Sequence, residues 1–118
     1  MRFNRRNWVK YFDGSNKKTT IRLRKSKSGH HKAYAGSYYH PELLGEFDIT
    51  AIVEIKYKEL TEQNAKDDGF NTLEELKAEL EKLNGKIPED RILYQNWTVN
   101  VRNNEKEKTI SEMSEMRC

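Results

Sequence analysis

With 118 residues, 35% of them hydrophobic and 35% charged, the chain suffices for one domain with a modest core that needs no disulfide staple. No apolar run approaches the ~20 residues of a membrane span, and the basic stretch at residues 1–6 lacks the apolar segment of a secretory signal. The single cysteine, Cys118, excludes an internal disulfide and fits a reducing cytoplasm. The net charge of +3 hides a division. Residues 1–40 hold eleven Lys and Arg against one acid, Asp13, whereas residues 41–118 hold eleven against eighteen. Such polarity points the first third of the chain at a polyanion.

Residues 4–13 read as a short helix. Trp8, Tyr11 and Phe12 fall at i, i+3 and i+4 on one apolar face, and turn residues at 13–16 stop it. A strand over about 18–24 follows. Alternation turns Thr19, Ile21 and Leu23 towards a core and sets Thr20, Arg22 and Arg24 on an open polar face, with Lys17 and Lys18 at its entrance. Guanidinium forks suit phosphates and base edges. Residues 25–41 read as a loop that is basic at Lys25, Lys27 and Lys32 and aromatic at Tyr34, Tyr38 and Tyr39. Cations beside rings suit single-stranded nucleic acid, where phosphates meet the cations and each unpaired base stacks for ~1–3 kcal/mol. Ordinary strand tyrosines with surface hydroxyls read the same way. His30, His31 and His40 lie here too. Adjacent histidines diverge on a strand and no cysteine is near, so no metal site and no cofactor is assigned.

Residues 47–58 are the clearest strand, with Phe47, Ile49, Ala51, Val53, Ile55 and Tyr57 on one face. Its length calls for a bend or a bulge. Thr61 caps a helical turn over 62–66, which 67–70 break. A capping box, Thr72 with Glu75, opens a helix over 73–83 whose buried stripe is Leu73, Leu76, Leu80 and Leu83. Asn84 and Gly85 end it. Residues 91–101 return to strand, with Leu93, Trp97, Val99 and Val101 on one face and Ile92 and Tyr94 on the other. Residues 103–118 form a charged tail, either disordered or a weak helix with Ile110, Met113 and Met116 at i, i+3 and i+6. The expected class is α+β over residues 1–102: a small, strongly bent sheet closing towards a barrel, flanked by short helices.

Two motifs in this order resemble the ASCH domain family of the PUA-like superfamily of small β-barrels. One is the G-x-K-x-x-T-x-R signature, here Lys17-Lys18-Thr19-Thr20-Ile21-Arg22. Gly14 stands three residues before Lys17, one more than in the pattern, and counting back from Thr20 assigns the lysine to Lys17. The other is L-T-x-x-x-A-x-x-[D/E], here Leu60 and Thr61 through Ala65 to Asp68, leading into the leucine helix. The resemblance spans roughly residues 5–101 and implies a PUA-like barrel that binds RNA or a nucleotide in a basic cleft beside the first motif. Lys18, Arg22, Arg24, Lys25, Lys27, Lys32, Tyr38 and Tyr39 are then the nucleic-acid-facing residues. It also implies an alternative, a small amidohydrolase of N4-acylated cytidine, or a ribonuclease, with Lys17, Thr20 and Asp68 as its catalytic set. A threonine hydroxyl is a poor nucleophile until a nearby amine takes its proton. Burial or a cationic neighbour would fit Lys17 for that task, with Asp68 to orient it or activate water. The family's enzymes commonly carry glutamate where this chain has Asp68, one methylene shorter.

Overall fold

The computed structural model describes residues 1–104, so the expectations for most of the tail, residues 105–118, lie outside the described residues. The elements are α1 (Arg5–Trp8) with a 3₁₀ turn (Val9–Tyr11), β1 (Thr19–Arg22), β2 (Gly29–Gly36), β3 (Pro41–Lys56) with a 3₁₀ turn (Tyr57–Glu59), α2 (Glu62–Asp67), α3 (Leu73–Asn84) and β4 (Ile92–Asn103). The four strands form one antiparallel sheet in the order β1-β4-β3-β2. It curls into a half-barrel and does not close, which corrects the expected barrel. The gap between the edge strands is narrowed by residues 1–3. Arg2 pairs with Tyr34 on the free edge of β2, through Phe3 N–H to Tyr34 O at 2.8 Å and Tyr34 N–H to Met1 O at 2.9 Å.

Helix caps form where side chains can meet orphan amides. Asn4 Oδ1 accepts from Arg6 N–H at 3.1 Å and starts α1. Thr61 and Asn64 cap α2 reciprocally, through Asn64 N–H to Thr61 Oγ1 and Thr61 N–H to Asn64 Oδ1. At α3, Thr72 Oγ1 accepts from Glu75 N–H at 3.2 Å, and Glu62 of α2 takes Leu73 N–H at 3.0 Å. This second contact ties the two helices together. The stripe of α3 buries Leu76 and Leu80, while Leu83 is 50% exposed on the lip of a cleft, contrary to expectation.

The stretch expected as a loop holds β2. Its inward residues are Ala33 and Ala35, fully or nearly buried but too small to mark a strand by hydropathy. Their space is filled from β3 and α1 by Leu44, Phe47 and Trp8. β3 starts six residues before the expected strand, and its pairing with β4 shifts between Glu46 and Asp48 and again between Ile49 and Ala51. Those bulges bend the strand and re-aim its side chains. Phe47 and Ile49 are buried, but Ala51 and Val53 are exposed and Ile52 packs inward instead. In β4, Leu93 is buried and Val99 is 42% exposed. Gln95, Asn96 and Thr98 are buried in its place. β4 is a central strand, and two of these polar side chains serve the backbone of the β1 segment. Asn96 Nδ2 donates to Thr20 O at 2.9 Å, and Thr98 Oγ1 to Lys18 O at 2.9 Å.

Two apolar clusters result. Phe3, Trp8, Ala33, Ala35, Leu44, Phe47 and Ile49 form one, with the rings of Phe3, Trp8 and Phe47 edge-on or tilted to one another. Ile21, Phe70, Leu76, Leu80 and Leu93 centre the other. Phe12 meets the Trp8 ring at 5.6 Å yet stays 45% exposed, so it leaves the face expected of it. β3, β4 and α1 meet at Gly45. A Cβ there would lie 2.0 Å from Arg102 O and 2.7 Å from Trp8 Cζ2. Both neighbours are fixed, one as strand backbone and the other as a buried ring whose Nε1 donates to Asn103 Oδ1 at 3.0 Å. Overpacking of this kind costs about 3 kcal/mol or more. Gly45→Ala is therefore expected to lower the unfolding free energy by that amount, read as a lower denaturant midpoint at unchanged slope, and a midpoint equal to wild type would show that the approach relaxes freely.

Candidate nucleotide cleft

Between the two clusters lies a cleft of about 750 Å³. Phe3 and Ala35 line it on one side, and Ile21, Phe70, Leu76 and Leu80 on the other. Its polar lining includes Lys17, Thr20, Arg22 and Asp68, four residues that the two motifs single out.

The segment leading into β1 is fixed on three sides. Lys17 N–H reaches Lys10 O at 3.4 Å, Lys18 N–H donates to Asp67 O at 2.6 Å, and Thr98 N–H donates to Lys18 O at 3.0 Å. Lys17 is thereby carried into the interior with only 7% of its surface exposed. Its Nζ lies 3.3 Å from Asp68 Oδ1 and donates to Asp68 O at 3.1 Å. Asp68 is the C-cap of α2 and also accepts from Thr19 Oγ1 at 3.0 Å. The next residue, Gly69, has φ +91°, a left-handed conformation that glycine tolerates. A Cβ at Gly69 would crowd Lys17 Cβ at 3.2 Å and Lys10 Cβ at 3.1 Å, so the α2–α3 turn lies directly against the lysine.

Burial dominates the electrostatics. It lowers the Lys17 pKa, with Arg22 and Lys10 acting the same way and Asp68 opposing. It raises Asp68, against the pull of Lys17, the Thr19 hydroxyl and Arg22. Desolvation thus pushes both partners towards neutrality, and the lysine, with two further cations near it, is held low. The Tyr11 ring lies 5.3 Å from Lys17 Nζ. Its hydroxyl lies within hydrogen-bond distance of Thr98 Oγ1, at 3.1 Å, and burial raises its pKa.

Arg22 crosses the cleft wall differently. Nε donates to Thr20 Oγ1 at 3.0 Å, Nη1 donates to Arg2 O, and the guanidinium carbon lies 4.4 Å from the centre of the Phe3 ring. Nη2 has no hydrogen-bond partner among the described residues. The polar face of β1 is therefore not open to solvent as expected. Thr20 is 4% exposed and Arg22 is half-buried, because residues 2 and 3 cover them, and only Arg24 is exposed. Asp68 bonds to Thr19 rather than to Thr20.

Lys18, Arg24, Lys25, Lys27 and Lys32 are exposed and are not part of the cleft lining. Tyr38 and Tyr39 are likewise not among the lining residues; they are exposed, in the turn that follows the lining residue Gly36. The histidines have other partners. His30 bridges Asp48 at 3.0 Å and Glu46 at 2.7 Å, which raises its pKa. His31 stacks on Phe47. Sequence reasoning missed Arg2, Asn7 and Glu79 in the lining. The basic run at 1–6 was the signal for Arg2, but nothing local says that it folds back onto Arg22; Asn7 and Glu79 carried none.

No family model and no curated protein matches the chain. Two solved structures resemble it. Protein EF3133 from Enterococcus faecalis V583 aligns with TM-score 0.57 and 18% identity, covering 89% of this chain and 72% of that one. An ASCH domain from Lactobacillus crispatus JV V101 aligns with TM-score 0.49 and 16% identity, covering 76% of this chain and 67% of that one. The likeness to EF3133 shows that this chain shares that protein's fold. At such identities the likeness concerns the fold alone. Among the described residues, no helix is long and apolar enough to cross a membrane.

Breaking a buried pair by removing one partner costs about 3–5 kcal/mol, whereas replacing both by apolar groups is often neutral. Asp68→Ala is expected to destabilise by about that amount, and the double change Lys17→Met with Asp68→Leu to recover most of it in urea unfolding. The pH dependence follows from the lowered Lys17 pKa. Stability associated with a depressed lysine is full above the unfolded value near 10.5 and is lost as pH falls through the folded value. The Asp68→Ala loss should therefore shrink as pH rises towards 10.5. A loss that stays constant over that range would show that the lysine charge is not its cause.

Proposed function

We propose that this protein is a PUA-like RNA-binding module that holds one nucleotide of RNA in the cleft between its apolar clusters. The observation that carries this reading is Arg22. Two of its nitrogens are anchored, on Thr20 and on the Arg2 carbonyl, and Nη2 remains to meet an anion. An immobilised guanidinium loses little entropy on binding phosphate and offers a planar fork to its oxygens. Lys17 adds a cation to the wall, and Phe3, Ile21 and Phe70 offer apolar area to a base. The exposed cations at Lys18, Arg24, Lys25, Lys27 and Lys32 would supply long-range attraction rather than contacts in the cleft.

A second reading, hydrolysis of an N4-acylated cytidine or of RNA, rests on one feature. A lysine with a lowered pKa shares the cleft with the Thr20 hydroxyl. In this reading Lys17 takes the Thr20 proton as the hydroxyl attacks the acyl carbon, and Arg22 steadies the developing charge. The bond from the acyl carbon to N4 then breaks as Lys17 returns the proton to the departing amine, and water cleaves the acyl-threonine to release the acid and restore the hydroxyl. Asp68 then acts by orienting Lys17, since its own hydrogen bond goes to Thr19.

One set of proteins tests both readings. Fluorescence anisotropy with a short single-stranded RNA should show affinity that falls steeply with salt. Arg22→Ala should weaken it about tenfold or more and reduce the slope of log affinity against log salt by about one. Binding that is indifferent to salt and to this substitution would refute the module. Incubation with N4-acetylcytidine and with a short RNA separates the second reading: cytidine and acetate, or cleaved RNA, should form with wild type and not with Lys17→Ala, and turnover of neither by wild type rules it out.

A further inference from the structure

Tyr38 and Tyr39 are 79% and 85% exposed, in a chain whose other aromatic rings are mostly covered. Their turn is built firmly. His40 N–H donates to Ser37 O at 3.2 Å and to Ser37 Oγ at 3.0 Å, and Gly36 takes φ +88° to enter it. The two rings meet edge to face, 5.6 Å apart at 86°. In that arrangement the edge of one ring points at one face of the other, and the pair leaves the remaining ring faces uncovered.

The turn is coupled to the cleft through one residue. The Arg2 carbonyl receives Arg22 Nη1, while the Arg2 guanidinium donates to Gly36 O at 2.7 Å and lies 5.7 Å from the Tyr38 ring centre. A single residue, with its main-chain carbonyl on one side and its guanidinium on the other, thus links the arginine that would hold a phosphate to the exposed rings. A cation is placed between the two positions, where a linking phosphate would run. Folding gains nothing from two large rings left in water. They are presented on a braced turn that follows the lining residue Gly36 and is held by Arg2, which also lines the cleft.

We infer that the ligand is an oligonucleotide rather than a free nucleotide: one unit sits in the cleft and the base of an adjoining unit stacks on the Tyr38–Tyr39 turn. The inference rests on the cleft reading above and extends it outwards along a single strand. Stacking on aromatic side chains is sequence-tolerant, because every base has a π-face. Arg2 would bridge the phosphate joining the two units, and its contact with Tyr38 would hold that ring ready.

The test compares cytidine 5′-monophosphate with a single-stranded RNA of about six nucleotides, a length in the range of small single-strand sites. Affinities are measured by calorimetry, and folding of each variant is checked by circular dichroism. The expected result is that Tyr38→Ala with Tyr39→Ala weakens the RNA about tenfold and leaves the monophosphate unchanged. Tyr38→Phe with Tyr39→Phe should retain RNA binding, since the rings and not the hydroxyls do the stacking. Arg22→Ala should weaken both ligands. If the RNA binds the double alanine variant as it binds wild type, the inference is wrong while the cleft reading stands. It is equally wrong if the phenylalanine variant loses as much as the alanine one. If wild type binds neither ligand, the cleft reading fails and takes the inference with it.

Discussion

The ion pair between Lys17 and Asp68 is the contact on which the rest of the arrangement depends. It joins the residue that leads into the edge strand β1 to the residue that ends α2. Neither group keeps enough water to be charged alone, so each requires the other. Its geometry is over-determined. Backbone hydrogen bonds from Lys10, Asp67 and Thr98 hold the lysine segment, and Gly69 lets the next turn fold against it. Once Lys17 is fixed, the alternation of β1 follows. Thr19 turns to Asp68, Ile21 enters the α2–α3 core, and Thr20 and Arg22 are left facing the residues that precede α1.

That dependence explains why an open half-barrel can hold a defined cleft. Closing a sheet removes its edges, but here the edges do other work. β2 takes Arg2 as a one-residue partner, and β1 sends Arg22 to the same residue. The gap between them becomes a space walled by side chains from both apolar clusters. The cleft is a consequence of incomplete closure, with cations on one wall and hydrocarbon on two.

Sequence legibility varied with how local each signal was. α2, α3 and their threonine caps were readable, because caps are written within four residues. The four motif residues in the cleft were readable as a set, since two short patterns in a fixed order carry them. β2 was not, because Ala33 and Ala35 carry little hydropathy and their burial depends on rings from α1 and β3. The inward face was misassigned at Ala51 and Val53, because period-two reading has no way to see a bulge, whereas Ile55 and Tyr57 do turn to the core as the alternation requires. The buried Gln95, Asn96 and Thr98 run against hydropathy altogether. At least Asn96 and Thr98 make sense only once the backbone of residues 18–20 is seen to need donors. The roles of Arg2 and Tyr11 lay beyond reach for the same reason: their partners are distant in sequence.

Arg2 divides its labour between main chain and side chain. The carbonyl that steadies Arg22 belongs to any amino acid, whereas the contacts to Gly36 and Tyr38 belong to arginine. Replacement at this position would leave Arg22 anchored while releasing the tyrosine turn. The inner and outer parts of the surface can therefore diverge separately over evolutionary time: lineages could retune what lies outside the cleft by drift at one site, without disturbing what lies within.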